Sequence, residues 1–350
     1  MAPAAPSQRA LALRAARSLW FPLLFSAGLA LAYLAAFHHP RPHRLPVAIV
    51  APAARARPLA AALERADAFS VRVAASPAAA RTQLLHRAIV GAYVPGPGRP
   101  RIFVARAGSP SAGDAAVVAF RAVAAATRAP APAITDLRPV QAGDYRGTSP
   151  FYLMIAWSIG GYITAIVLGA VATAMAGAGV RLEGRTRAAL LLPTALVAVA
   201  LCVLIAGPIL HALDGHALAL IGVGWLYASA VGLVGLGLHY FLGRHTTAVM
   251  VMLFVVLNFP SAGGAYDVRL QPSAFVVLHD AWPGASAVTA IRDVVYFGGD
   301  GVWARLGLIA LWGVAGAAIL AAGIRHGEPR VEPATATGAA ELEVAEAGAG

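Results

Sequence analysis

Residues 151–176 read FYLMIAWSIGGYITAIVLGAVATAMA, a run of 26 residues without a charged side chain. About 20 apolar residues in a helix are enough to cross the ~30 Å hydrocarbon core of a bilayer, so this run predicts a transmembrane helix. Five further runs have the same apolar character: 19–37, 188–210, 217–242, 246–262 and 302–324. The predicted fold class is therefore a mainly α membrane protein with six transmembrane helices.

The composition agrees with this class and excludes others. Of 350 residues, 59% are hydrophobic and only 12% are charged, whereas charged residues make up about 25% of a typical soluble domain. All 27 basic residues are arginine. Because a P-loop needs its lysine on the phosphates, the chain cannot be its own P-loop ATPase. The single cysteine, Cys202, excludes an internal disulfide and a cysteine-based metal site.

The placement of arginine in short segments predicts the orientation, because such segments stay on the cytoplasmic side. If six spans alternate, these arginines all lie on one side: Arg9, Arg14 and Arg17, then Arg181, Arg185 and Arg187, then Arg244, then Arg325 and Arg330. We therefore expect a multi-pass protein of the cell membrane with both termini cytoplasmic. Residues 1–18 form the N-terminus and 19–37 an uncleaved anchor, because its apolar core is longer than the 7–15 residues typical of a signal peptide.

Residues 38–150 are predicted to form an extracytoplasmic α/β domain between the first two spans. Strand and helix patterns follow in the order β-α-β-α-β-β-α, which indicates a small mixed sheet with helices on its faces. The strands are expected at 47–51, 70–74, 88–94 and 101–105, and the helices at 58–68, 76–86 and 113–127. Residues 129–147 are expected to be a connection rich in Pro and Ala, and 327–350 a disordered cytoplasmic tail.

Residue types that carry catalysis or proton coupling are sparse. The first five spans contain no Asp, Glu or Arg at mid-depth, which argues against a proton-coupled carrier. Arg305 lies near the external end of the last span, where its side chain can reach the interface. His38, His39 and His43 have no acidic residue or cysteine beside them, so a polar collar is favoured over a metal site. We therefore predict no catalytic residue, metal site, cofactor or nucleic-acid partner.

The segment between the fifth and sixth apolar runs is unusual. It begins NFPSAGGAY at residues 258–266, where Pro and paired Gly are expected to break the helix near the membrane surface. An apolar stretch, a Trp282-Pro283-Gly284 break and an amphipathic helix at 286–297 follow, with Gly298-Gly299 as the stop. This pattern predicts a broken, partly re-entrant element at 259–301, and an interfacial lid without a transport role is the alternative.

This order of features resembles that of the ABC-2 type transporter permeases, in particular the branch related to phage-infection-protein (Pip-like) membrane proteins. The residues behind the resemblance are the LPVAIV strand at 45–50, the NFPSAGG break at 258–264, and Trp282-Pro283, Ile291-Arg292 and Tyr296-Phe297-Gly298-Gly299. The resemblance covers residues 15–326 and implies a five-helix ABC-2-like membrane domain at 151–326.

The resemblance also implies a mechanism. Two permease copies, as a homodimer or heterodimer, would form the path through the membrane lipid, and separate ATP-binding subunits would supply the energy. The cytoplasmic loop would contact the ATPase through Arg181, Glu183, Arg185 and Arg187, although simple positive-inside anchoring explains these arginines equally well. Asn258, Pro260, Gly263 and Gly264 would shape an external gate, with Asp267, Arg269, Arg292 and Asp293 as its polar contacts.

Two functions follow as alternatives. The first is a permease subunit of an ABC-type exporter for a hydrophobic or amphipathic compound. The second is a non-transporting scaffold or surface receptor of the cell envelope that displays the external domain. That domain carries 15 arginines against five acidic residues. A basic surface of this kind can contact anionic lipid or wall polymer, or can simply be a solubilising surface.

Overall fold

The computed structural model describes residues 7–9, 12, 13, 16, 19–96 and 98–327. Helix α1 (Trp20–Phe37) comes first and carries the predicted anchor. The predicted cytoplasmic N-terminus is described only in part, and the predicted tail lies outside the described residues except for Gly327.

A five-stranded mixed sheet forms the centre of the α/β domain. Its strands are β1 (Leu45–Ile49), β2 (Phe69–Val73), β3 (Gly91–Val94), β4 (Arg101–Val104) and β5 (Ala133–Asp136). They lie in the order β2-β1-β3-β4-β5, and only the β3–β4 pair is antiparallel. The predicted small mixed sheet is confirmed.

Helices cover both faces of this sheet. They are α2 (Ala53–Leu63), α3 (Pro77–Leu85) and α4 (Pro110–Ala126). Because side chains alternate along a strand, Val47 and Ile49 of β1 pack into the core that α2 and α4 complete, while Ala48 packs into the core beneath α3.

The N-cap of α3 follows the predicted pattern. Ser76 Oγ accepts a hydrogen bond from the Ala79 N–H at 3.1 Å, and Pro77 occupies the first helical position, where its missing N–H costs nothing.

Strand β5 corrects the prediction of a plain connection at 129–147. Ala133–Asp136 pairs in parallel with β4, and Ile134 packs against the core of the domain. The strand is only four residues long and prolines precede it, so local pattern gave no strand signal. Proline is tolerated here because β5 is an edge strand.

The remaining described part of the chain, residues 149–326, is mainly helical. It contains α5 (Ser149–Gly177), α6 (Gly184–Leu204) with a π-helical extension over Ile205–Ile209, α7 (Ala217–Leu242), α8 (Thr246–Val251), a π-helical turn over Met252–Leu257, α9 (Asn258–Ser261), α10 (Ser273–Ala281), α11 (Pro283–Tyr296) and α12 (Val302–His326).

Among the described residues, five helical runs are long and apolar enough to cross a membrane: Trp20–Phe37, Ser149–Gly177, Gly184–Ile209, Ala217–Ser261 and Val302–His326. The number becomes six if the bent pair α10–α11 is also counted as one span. The chain is therefore a membrane protein by length and composition. The predicted runs 217–242 and 246–262 fall within one continuous helical stretch, Ala217–Ser261.

This stretch turns back on itself. The side chain of Asn258 lies 2.9 Å from the hydroxyl of Tyr227, whereas residues 31 positions apart on a straight α-helix are separated by roughly 46 Å. Gly243, which follows α7, has a φ of +49°. The chain reverses at Gly243–His245, and α8, the π-helical turn and α9 run back along α7.

Helix α7 lies at the centre of the helical bundle. It packs against α5, α6, α11 and α12, and its stretch is more buried than the other apolar runs. Its neighbours approach closely, because a Cβ atom added at Gly161 of α5 would lie 3.2 Å from the Ala228 carbonyl carbon, and one at Gly316 of α12 would lie 2.6 Å from the Val234 nitrogen. Small residues at such crossings are typical of helix packing in membranes.

Candidate functional site

The element between α9 and α12 is a broken helix pair. Helices α10 and α11 meet at Trp282 with a bend of 75°. The predicted break at Trp282-Pro283-Gly284 is confirmed, and so is the stop, because α11 ends at Tyr296 and the two glycines that follow Phe297 have positive φ.

Arg292 and Asp293, on the predicted polar side of α11, do not face solvent. Arg292 is 6% exposed and Asp293 is fully buried. The helical wheel separates these residues from the apolar face, and they contact the turn after α9 and Arg87 of the α/β domain.

Asn258 joins three helices at the inner end of this element. It is fully buried and is the only asparagine of the chain. Its Nδ2–H donates to the Tyr227 hydroxyl of α7 at 2.9 Å, and its Oδ1 accepts from the Gly284 N–H at the start of α11 at 3.0 Å. A Cβ atom at Gly284 would overlap the amide of Asn258, so this contact requires glycine there.

The other three predicted gate residues lie directly after Asn258. Pro260 is buried within α9, Gly263 has a φ of +68°, and a Cβ atom at Gly264 would overlap the ring of Phe151 on α5. Backbone that leaves a helix at membrane depth must be covered by protein or face a water-filled cavity. Both glycines are buried, so the turn that they form is covered by protein.

Arg292 supplies hydrogen-bond donors to this turn. Its guanidinium donates to the carbonyls of Gly264 at 3.3 Å and of Gly263 and Gly147 at 3.5 Å. The side chain thereby holds the end of α9, the start of α5 and α11 together. Since the acceptors are neutral carbonyls, they do not balance the positive charge.

Asp293 connects α11 to the α/β domain. Its carboxylate forms an ion pair with the guanidinium of Arg87, which follows α3 and is 22% exposed. The same guanidinium lies over the ring of Phe297 at 5.3 Å. Beside it, His86 Nδ1 lies 2.7 Å from the Asp300 carboxylate in an exposed pair.

Asp267 and Arg269 lie on a segment that contacts the α/β domain. The Asp267 N–H donates to Ser111 Oγ at 2.9 Å, and the Asp267 carboxylate accepts from the Arg269 N–H at 2.9 Å. The neighbouring Leu270 is buried in the core of the α/β domain. The predicted polar contacts therefore bind the two parts of the chain to each other, while the Arg269 side chain is exposed.

The four residues of the predicted coupling loop divide into two groups. Arg181, Glu183 and Arg185 are exposed at the start of α6. Arg187 is 1% exposed, donates from Nε to the Leu182 carbonyl at 2.9 Å and lies over the ring of Tyr240 at 4.9 Å. Its position differs from the expected contact surface, because the side chain supports the loop from inside.

Sequence reasoning missed three residues of this site: Tyr227, Gly284 and Arg87. Tyr227 carries a hydroxyl within an apolar span, a signal that could have been followed. Gly284 belonged to a motif that was interpreted only as a helix break. Arg87 was one of 15 arginines in residues 38–150, and nothing local distinguished it.

Comparisons of the chain with known protein families, curated proteins and solved structures find no match. Among the residues that the structure describes, no group of three or more His, Cys, Asp or Glu side chains is arranged to hold a metal ion.

Proposed function

We propose that the chain is the permease subunit of an ABC-type exporter, which moves a hydrophobic or amphipathic compound with an ATPase supplied by a separate subunit. One observation carries the proposal: helix α11 of the broken pair is held at its start by the Gly284–Asn258 contact with the membrane helices, and near its end by the Asp293–Arg87 contact with the external domain. An element held at both ends in this way can transmit a movement of the helices to the external side, as a gate requires.

The proposed topology has six crossings. Helix α7 and the returning arm of α8, the π-helical turn and α9 are taken as separate crossings, and α10–α11 stays on the external side. The loop after α5 and the turn at Gly243–His245 are then cytoplasmic, together with both termini. The returning arm spans 16 residues, or roughly 24 Å as a helix, and its outer end is buried within the protein.

The exposed loop residues are the proposed contacts of the ATPase. Arg181, Glu183 and Arg185 can form charged contacts with a partner, while the buried Arg187 holds the loop in position. A pair of permease copies would complete the translocation path.

Charge reversal in the loop tests this proposal. We expect the double variant Arg181→Glu/Arg185→Glu to reduce ATP hydrolysis by the purified complex about tenfold, because charged contacts across an interface govern association. The variant Arg244→Glu is the matched control, since Arg244 is also exposed and lies in the other proposed cytoplasmic turn. The measurement is ATP hydrolysis in nanodiscs after purification of the chain with its ATPase from native membranes.

Two outcomes would contradict the proposal. In one, the wild-type chain purifies without any nucleotide-binding subunit, and membranes that lack the chain show unchanged efflux. In the other, the loop variant and the Arg244 control have the same activity as wild type.

The scaffold or receptor function remains the second candidate. The external domain favours it, because an arginine-lined cavity opens where this domain meets α10–α12. A receptor would bind its ligand with no ATP-dependent movement of any compound into inverted vesicles, which separates the two candidates.

A further inference from the structure

A polar cavity of about 480 Å³ lies between the external domain and the α10–α12 region. Five arginines line it: Arg72 and Arg87 from the external domain, and Arg269, Arg292 and Arg305 from the helical part. Arg72 and Arg269 are exposed, so the cavity is open to solvent on their side.

The cavity has an excess of positive charge. Two aspartates, Asp267 and Asp280, also line it. Asp293, which is not part of the lining, forms an ion pair with Arg87. Among the described residues, the side chains of Arg72, Arg269 and Arg305 form no ion pair. Apart from the Arg87–Asp293 pair, the wall therefore carries four arginines against two aspartates.

Arg292 is the most buried of the five arginines in this wall. It is 6% exposed, and its donors reach only backbone carbonyls. Its Nε has no acceptor among the described residues, and no described carboxylate forms an ion pair with it. The nearby Asp144 accepts from Ser149, and Asp267 accepts from the Arg269 N–H. The negative charges of Asp144 and Asp267 act on Arg292 without direct contact, and a phosphate in the cavity would add the direct ionic partner that neither aspartate provides.

From this arrangement we infer that the cavity binds the phosphate group of a phosphate ester that carries a net negative charge. Several guanidinium forks that converge from two sides match the multiple oxygens and the charge of phosphate. The volume is many times the ~30 Å³ of one water molecule, so an organic group fits beside the phosphate. The inference concerns binding alone and does not depend on the proposed transport.

The phosphate ester can come from a soluble metabolite or from an anionic lipid headgroup, and the test separates the two. Purified full-length protein is placed in phosphatidylcholine nanodiscs and titrated with glycerol 1-phosphate, which represents the soluble source. In a second arm, phosphatidylglycerol replaces part of the phosphatidylcholine. Direct binding by calorimetry and the apparent melting temperature are measured in both arms.

Three variants give the test its specificity. Arg72→Gln/Arg269→Gln changes two exposed side chains at the rim and is expected to fold, and it should weaken binding about tenfold. Arg292→Gln removes the buried partner and is expected to abolish binding. Arg121→Gln is the matched control, because Arg121 is an exposed arginine of the same domain outside the cavity.

Saturable binding of glycerol 1-phosphate that the rim variant weakens would assign a soluble ligand. A melting temperature raised only by phosphatidylglycerol, and not in the rim variant, would assign a lipid headgroup. The inference is overturned if neither probe binds the wild type, or if Arg121→Gln weakens binding as much as the rim variant. Should Arg292→Gln fail to fold, the rim variant and the Arg121 control still decide the outcome.

Discussion

Replacing Asn258 with leucine is expected to lower the stability of the helical part by about 3 kcal/mol. Leucine has the same branched shape but removes the acceptor of the Gly284 N–H and the donor to the Tyr227 hydroxyl, which keeps only its weaker contact with Met154 Sδ at 3.3 Å. A buried polar group that loses its hydrogen bond costs about 1–3 kcal/mol in water-soluble proteins. A hydrogen bond between membrane helices contributes about 0.6–2 kcal/mol. At roughly 2–4 °C per kcal/mol, the apparent melting temperature should fall by roughly 6–12 °C.

The control for Asn258→Leu is Thr194→Val. Thr194 also carries a polar group on a membrane helix, but its hydroxyl is bonded only within that helix, to the Leu190 carbonyl at 2.8 Å. We expect a change below about 0.5 kcal/mol for the control. Tyr227→Phe should cost about 1 kcal/mol alone and much less in the Asn258→Leu background, because both variants break the same bond. Equal melting temperatures for Asn258→Leu and wild type would refute the joining role of Asn258.

Replacing Arg87 with methionine is expected to be at least as damaging. The change leaves the carboxylate of Asp293 buried without its ion-pair partner, and breaking a buried pair from one side costs about 3–5 kcal/mol. The external domain would also lose its attachment to α11, so proteolysis between the two parts should become faster. Thermal unfolding in nanodiscs and limited proteolysis measure the two effects.

The neighbouring ion pair His86–Asp300 provides a matched control for the Arg87–Asp293 pair. His86→Ala removes the exposed partner of Asp300, and exposed ion pairs contribute about 0–1 kcal/mol. The double variant Arg87→Met/Asp293→Asn removes both charges and should recover most of the lost stability. If Arg87→Met behaves like His86→Ala, or if the double variant is no better than the single one, the proposed attachment is wrong.

Most helices and strands were predicted from the sequence, because the length of an apolar run and the residues at a helix end largely decide them. Apolar runs that are long enough for a bilayer became helices with ends close to the expected ones, and Ser76 caps α3 through the predicted Ser-Pro pattern. The bend at Trp282 was also predicted from the sequence, since Pro283 favours the start of a new helix and Gly284 weakens a continuous one.

Tertiary contacts decided what the sequence pattern could not predict. Strand β5 forms because it pairs with the edge of β4, and its four residues alone do not predict a strand. Arg292 and Asp293 stand on a polar helix face that the pattern places correctly, but the pattern cannot say what covers that face. Arg187 looked like its neighbours Arg181 and Arg185, and contacts formed on folding distinguish it: it is buried, bonds the Leu182 carbonyl and lies over the ring of Tyr240 from α7.

The central claim is that the external domain and the loop before α6 lie on opposite sides of the membrane. The most direct test is labelling of single cysteines with a membrane-impermeant maleimide, after Cys202→Ala removes the native thiol. The probes are Arg121→Cys in the external domain, Arg185→Cys in the loop and Arg244→Cys in the turn after α7, which are all exposed positions. We predict that Arg121→Cys labels in intact cells, and that the other two label only after permeabilisation. Labelling of Arg121→Cys and Arg185→Cys under the same condition would contradict the account.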